Sequence, residues 1–145
     1  MGIEMKYVVG LIVLFTVACA TTVYSQSLKE RQYFAEQEQE LAKEVAIANE
    51  QCGTNVAAKF DWSGMPPDRQ GAVPYRYCRA VLLGMRRVCE NAMGKDAVKE
   101  KIKSITCGFS PERSIALKDG AIDYKIKFQS ASDADYVFEY LQNNL

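Results

Sequence analysis

Cysteine is the residue type in this chain with the most chemistry to offer. Five cysteines are present, at positions Cys19, Cys52, Cys78, Cys89 and Cys107. The last four could hold a zinc ion, act as redox thiols or form two disulfides. The C-x-x-C spacing typical of zinc sites and redox pairs does not occur, and an even cysteine count in a short exported chain favours disulfides. We therefore predict two disulfide bridges and no metal site.

The spacing of two of these cysteines limits how they can pair. Cys78 and Cys89 fall in a run of helical periodicity, which predicts a helix from about residue 75 to residue 93. In a helix their α-carbons lie about 16 Å apart, whereas a disulfide needs α-carbons within about 7 Å. Cys78 and Cys89 are therefore not expected to pair with each other. One should bind Cys52 and the other Cys107, and the sequence leaves both of these pairings open.

The chain contains no histidine. This excludes Ser-His-Asp and Cys-His catalytic arrangements and any site with a histidine ligand to zinc or haem. We accordingly predict no catalytic residue and no cofactor.

Paired carboxylates could still perform acid–base chemistry without histidine, as they do in glycoside hydrolysis. Four candidate acids flank predicted loops and turns, namely Asp61, Asp68, Asp119 and Asp123. Nothing in the sequence brings two of them together, and acids in turns are common on protein surfaces. A small carboxylate-based hydrolase is therefore the alternative function, behind a non-enzymatic binding protein.

A candidate binding loop covers residues 63–73, between a predicted strand that ends at Trp62 and the cysteine helix. This connection is long for so small a domain, and long loops often carry function. Trp62 could offer an apolar or sugar-stacking platform, or it could simply be the largest residue of the core. The candidate binding residues are Trp62, Met65, Asp68, Arg69 and Tyr75.

An arginine stripe on the cysteine helix is a candidate anion-binding surface. At helical spacing, four arginines fall on one face, turned away from the cysteines: Arg76, Arg79, Arg86 and Arg87. Such a stripe could bind phosphates or acidic glycans. Glu90 falls on the same face and weakens the field, so an ordinary solvated helix face is the competing interpretation.

The N-terminal segment predicts export. Lys6 precedes a charge-free apolar run over residues 7–20, which is shorter than the roughly 20 residues that span a bilayer. We predict a signal peptide over residues 1–25, cleaved after Ala20 or after Ser25. The expected location of the mature chain is therefore secreted or periplasmic.

Cys19 leaves a second outcome open, because it follows a stretch that resembles a lipobox and could carry a lipid anchor. The chain would then be a structural, membrane-anchored component of the cell envelope.

The whole chain carries 18 basic and 18 acidic residues, so no net field draws it to nucleic acid. The expected partner is an unidentified protein or glycan, and the membrane is reached only through the N-terminal segment, if that segment is uncleaved or lipidated.

Hydrophobic periodicity after the leader predicts one domain, residues 26–145, with the element order α-β-α-α-β-β-β-α. Alternating apolar residues mark the strands, and Asp119-Gly120 predicts a tight hairpin between the last two of them. This order predicts an α+β fold in which an antiparallel sheet of about four strands is packed by helices.

Overall fold

The computed structural model of the chain describes residues 27–66, 73–127 and 133–145. The predicted signal peptide over residues 1–25, its cleavage sites and Cys19 lie outside the described residues. The described elements follow in chain order: α1 (Leu28–Cys52), β1 (Ala57–Phe60), a short 3-10 helix (Trp62–Gly64), α2 (Pro74–Val88), α3 (Ala92–Lys101), β2 (Ser104–Ser110), β3 (Ser114–Lys118), β4 (Ala121–Lys127) and α4 (Ala134–Asn144).

The predicted α+β class and the predicted order of helices and strands are confirmed. The sheet differs from the prediction in the direction of its strands. Its spatial order is β1-β2-β4-β3, and β1 and β4 both run parallel to β2. Only β3 and β4 are antiparallel, so the sheet is mixed and not purely antiparallel.

The connections explain these strand directions. β1 and β2 are joined through α2 and α3, which gives the chain the length it needs to return and run parallel. β3 and β4 are joined at Asp119 and Gly120, which both have positive φ, as a tight hairpin requires. Because β3 takes the sheet edge, β4 returns beside β2 in the same direction. The alternation of apolar residues along a strand shows which face of the sheet is buried. It does not show whether neighbouring strands run parallel or antiparallel, so the sequence could not predict the mixed sheet.

The helices pack against one face of the sheet and form the core with it. The residues of β2 and β4 that face the helices are buried: Ile105, Cys107, Phe109, Ile122, Tyr124 and Ile126. The residues that alternate with these along each strand point to the opposite side of the sheet, which we call the outer face. The helical layer contributes buried residues from each of its long helices, among them Leu41, Leu82 and Leu141.

Two disulfides pin α2 at both ends. Cys52 at the end of α1 binds Cys89, directly after α2, with α-carbons 5.3 Å apart. Cys78 in the second turn of α2 binds Cys107 in β2, with α-carbons 5.7 Å apart. The prediction that Cys78 and Cys89 do not pair with each other is confirmed. The structure selects one of the two pairings that the sequence left open.

The sequence predicts two consecutive helices here, the first over residues 75–93, and the structure places the boundary between them earlier than predicted. α2 ends at Val88, and α3 begins after Asn91, whose side-chain oxygen accepts a hydrogen bond from the Gly94 amide at 2.8 Å. Asparagine is a strong helix N-cap, so it starts a new helix within the apolar pattern. A β-carbon at Gly94 would lie 1.8 Å from the Val88 carbonyl oxygen, so only glycine allows the two helices to meet this closely. The sequence pattern therefore predicted both helices but placed the boundary between them a few residues too late.

None of the helices in the described part of the chain combines the length and the apolar character that crossing a bilayer requires.

Candidate functional site

A groove lies where the end of α2, the start of α3 and the last turns of α4 meet. Its volume is about 420 Å³. We call it the α2–α4 groove. It is lined by Arg87, Val88, Glu90, Asn91, Met93, Gly94, Ala97, Phe138, Leu141, Gln142 and Leu145.

The break between α2 and α3 creates one wall of this groove. After Val88 the chain turns, and the Cys89 disulfide and the Asn91 cap fix the turn. Because Gly94 allows α3 to begin directly against Val88, the first two turns of α3 carry Met93 and Ala97 to the groove. Asn91, the residue that caps the start of α3, therefore also positions the wall of the groove.

The floor and the rim of the groove differ in character. Leu141 of α4 is fully buried and Val88 of α2 nearly so, which makes the floor apolar. Phe138 and Leu145 are half-buried and contact the core from the side. Met93 at the rim is 81% exposed, the most exposed of the large apolar side chains in the described part of the chain. An exposed methionine beside an apolar depression suits a surface that adapts to a ligand.

Arg87 forms the charged side of the rim. Its guanidinium donates a hydrogen bond to Asp135 and lies over the Phe138 ring, with its central carbon 4.1 Å from the ring centre. At the far end, the Lys101 ammonium donates to the Leu145 carbonyl and ties α4 to α3. These two contacts hold both ends of the groove in place without filling it.

The described residues of the predicted binding loop take part in packing. The Trp62 ring stacks on Phe34, with centres 4.4 Å apart, and lies 4.5 Å from the Phe60 ring. Its indole N–H donates to Glu38 at 3.0 Å. Met65 and Tyr75 are half-buried against the core. Trp62 thus closes an aromatic cluster between α1 and the sheet.

Two candidate residues of that loop, Asp68 and Arg69, lie outside the described residues.

The structure does not gather the four arginines of the predicted stripe around one anion. Arg79 forms an ion pair with Glu44 of α1 at 3.1 Å. Arg86 donates to the Gln51 side chain at 2.7 Å, and Gln51 donates back to the Arg86 carbonyl at 3.0 Å. These two side chains therefore contact α1, whereas Arg87 faces α4.

Arg76, the remaining member of the stripe, is exposed near the start of α2. At least three of the four guanidinium groups therefore connect α2 to its neighbouring helices.

Two of the candidate carboxylates do come together, and a lysine lies between them. The Lys125 ammonium is 3.3 Å from Asp61 and 3.4 Å from Asp123. Hydrogen bonds from the hydroxyl and amide of Ser63, and a further one from Lys125, hold the pKa of Asp61 below its ordinary value. A glycosidase needs one carboxylic acid whose pKa is raised, so Asp61 is poorly suited to donate a proton.

The other two candidate acids do not join this pair. Asp119 occupies the hairpin turn, and Asp68 lies outside the described residues.

Lys125 reaches Asp61 by lying across Gly108 of β2. A β-carbon at Gly108 would come within 2.8 Å of the Lys125 ammonium. Burial opposes the charge of Lys125, but its hydrogen bonds to Asp61 and Asp123 outweigh that effect and raise its pKa. The result is an ion bridge from β4 across β2 to the end of β1, which the sequence pattern did not reveal.

A second polar cluster joins the sheet to the start of α4. The buried Tyr124 hydroxyl donates to Asp133 at 3.0 Å, and Arg113 donates to the other oxygen of the same carboxylate at 2.6 Å. Burial and the neighbouring Asp133 charge raise the pKa of Tyr124 above its ordinary value. The cluster therefore keeps a neutral tyrosine and a charged pair at the foot of α4.

Within residues 27–66, 73–127 and 133–145, no group of three or more Cys, Asp or Glu side chains is arranged to hold a metal ion.

Comparison of the chain with protein-family models, with curated proteins and with solved structures found no match.

Proposed function

We propose that this chain is an exported, non-enzymatic binding protein that takes up an apolar side chain of a partner protein in the α2–α4 groove. The groove itself is the observation that carries the proposal. It combines an apolar floor at Leu141 with a highly exposed methionine, Met93, and an arginine at the rim, Arg87. Methionine, aromatic residues and arginine are enriched in protein interfaces, and binding energy concentrates where such residues surround a depression.

The shape and charge of the groove favour a protein side chain as the occupant. Its volume of about 420 Å³ is at the small end of ligand pockets, which cover roughly 300–1,000 Å³. Its rim carries both charge signs, from Arg87 and Glu90, and amide groups from Asn91 and Gln142. A polar rim around a small apolar centre is the usual anatomy of a protein-binding patch.

The disulfide at the edge of the groove supports binding without rearrangement. Cys89 lies between Val88 and the Asn91 cap, and its bond to Cys52 fixes the turn that forms one wall. A site that is already rigid loses less conformational entropy when it is filled.

Export is the second part of the proposal. Two disulfides are typical of proteins that fold in an oxidising compartment. The predicted leader agrees with this, and it leaves three forms of the mature N-terminus. Mass spectrometry of the protein from its producing cells distinguishes a chain that starts at Thr21, one that starts at Gln26, and one that starts at a lipidated Cys19. A protein that retains residues 1–18 would contradict cleavage and indicate an uncleaved membrane anchor. Recovery of the domain with its cysteines reduced inside the cell would contradict the export proposal.

A photo-crosslinking amino acid placed in the groove tests the proposed binding site. At position 93 it should give one discrete protein adduct in the producing cells, because Met93 lies exposed on the rim of the groove. The matched control is position 47, since Ile47 is also an exposed apolar residue, at 46%, and lies on α1 away from the groove. No adduct at position 93, or the same adduct from both positions, would contradict the proposal.

A purified-protein measurement complements this experiment. The groove should bind the apolar dye 8-anilinonaphthalene-1-sulfonate, and Met93→Glu should weaken that binding about tenfold while Ile47→Glu leaves it within about twofold. Equal effects of the two substitutions would show that the dye does not report on the groove.

A further inference from the structure

The outer face of the sheet carries an excess of positive charge. Its strand residues include four lysines and one acid: Lys59, Lys118, Lys125, Lys127 and Asp123. Because the whole chain has equal numbers of basic and acidic residues, this excess is a local feature. Among the described elements, the helices cover only the opposite face of the sheet.

Three of these lysines are available to a partner. Lys59, Lys118 and Lys127 are exposed, and within the described part of the chain none of them forms an ion pair. They lie on β1, β3 and β4, so they surround the centre of the face. Lys125 is different, because Asp61 and Asp123 already hold its ammonium group.

Helix α1, by contrast, carries an excess of negative charge. α1 contains six glutamates and three basic residues, and its Glu36–Glu40 segment has no positive charge. Helix α2 is also basic, but three of its four arginines are engaged by Glu44, Gln51 and Asp135 of neighbouring helices. The exposed lysines of the outer face therefore remain available to attract an anionic partner even though the chain is neutral as a whole.

Apart from the Lys125 side chain, which crosses it at Gly108, the centre of the outer face is made of small side chains. The β2 residues there are Ser104, Thr106, Gly108 and Ser110, and the alanines of the neighbouring strands are Ala57, Ala116 and Ala121. From strand spacing and length, the face measures on the order of 14 Å by 23 Å. The three hydroxyl groups of β2 therefore form a hydrogen-bonding row between exposed lysines.

We propose that this face binds an acidic polysaccharide. Exposed lysines match its carboxylate or sulfate groups, and the row of serine and threonine hydroxyls matches its sugar hydroxyls. Among the strand residues that the structure describes, the outer face presents no aromatic side chain on which nucleic-acid bases could stack, and no large apolar side chain that could enter a membrane or fill a protein pocket. The site is separate from the α2–α4 groove and does not depend on the proposed function of that groove.

Binding of heparin to the purified, oxidised protein tests this proposal. The key variant is the triple substitution Lys59→Gln, Lys118→Gln and Lys127→Gln, and the matched control is Lys29→Gln, Lys95→Gln and Lys99→Gln. Both variants change the net charge equally and replace only exposed residues. We expect the sheet variant to lose at least about tenfold in affinity and the helix control to change by no more than about twofold. The salt dependence of binding should also become shallower only in the sheet variant.

A substitution of opposite sign sharpens the test. Asp123→Asn removes the one acid from the strands of the face, so heparin affinity should rise about twofold to threefold. Met93→Glu should leave heparin affinity unchanged, which keeps this result independent of the groove.

Four outcomes would overturn the proposal. They are no binding of heparin by the wild-type protein, equal losses in the two triple variants, heparin affinity no greater than that for uncharged dextran, and tighter binding to single-stranded DNA or to phosphatidylglycerol vesicles than to heparin. The last outcome would assign the face to a nucleic acid or a membrane.

Discussion

The Trp62 cluster and the α2–α4 groove are both places where large apolar residues reach the surface, and they differ in how completely they are packed. In the cluster, Trp62 lies against Phe34 and Phe60, and its N–H group is satisfied by Glu38. In the groove, Met93 stays exposed beside a space of about 420 Å³. Trp62, which stands out in the sequence, is therefore a packing residue. The candidate site lies instead at the α2–α4 groove, where the apolar residues are incompletely packed.

Removal of a disulfide should have the largest effect on stability, and removal of one of the two should also affect the groove. Cys52→Ala/Cys89→Ala and Cys78→Ala/Cys107→Ala open links that span 37 and 29 residues, so each double variant should lose about 4 kcal/mol of unfolding free energy. Only the first should also weaken dye binding in the groove, because Cys89 fixes the groove wall. Urea denaturation measures the loss of stability, and dye titration measures binding in the groove. Equal dye binding in both variants would show that the Cys52–Cys89 disulfide does not hold the groove wall in place.

Truncation of the aromatic cluster should have the next largest effect. Trp62→Ala should reduce the unfolding free energy by about 3 kcal/mol, because it removes the ring that Phe34 and Phe60 contact. Dye binding in the groove should not change. Trp62→Phe is the control and should recover most of the stability. A loss below about 1 kcal/mol would instead identify Trp62 as a surface platform, as the sequence also allowed.

The groove should respond in the opposite way to the cluster. Met93→Ala should change the unfolding free energy by less than about 0.5 kcal/mol, because the side chain is exposed. Ala97→Leu should fill part of the groove, leaving stability equal or slightly higher while weakening dye binding. Thermal unfolding together with dye titration checks both variants. A destabilisation above about 1 kcal/mol in Ala97→Leu would show that the groove has no room for a ligand.

Acid should affect the Trp62 end of the molecule more than the groove, with the smallest expected effect. The pKa of Asp61 is lower in the folded protein than its ordinary value of 3.8. Asp61 therefore stabilises the fold above that value, and the contribution is lost as pH falls towards the folded pKa. Asp61→Asn should flatten this part of the stability profile. Parallel profiles for wild type and Asp61→Asn would contradict the role of the Lys125 bridge.

Local patterns in the sequence were sufficient to predict the elements and to restrict the disulfides. Alternation located β2, β3 and β4, and helical spacing showed that Cys78 and Cys89 could not pair with each other. These inferences depend on distances along the chain, which a sequence contains directly.

Features that depend on contacts between distant residues could not be predicted. The parallel pairing of β2 and β4 follows from where β3 is placed, and the groove follows from the Asn91 break and from how α4 packs. The Lys125 bridge joins residues 64 positions apart in the chain and needs a glycine on the strand between them. Each of these features requires residues that are distant in the chain to come close together in space, and the periodicity of the sequence does not reveal such contacts.

The two disulfides also overlap along the chain, because Cys78 lies inside the 52–89 link and Cys89 lies inside the 78–107 link. A protease that cuts once anywhere between residues 53 and 106 therefore leaves both fragments covalently joined. A cut within residues 63–73, for example, is still bridged by Cys52 and Cys89. Outside a cell, where proteases are common and new protein cannot be made on site, a nicked copy would remain one molecule and would separate only after reduction.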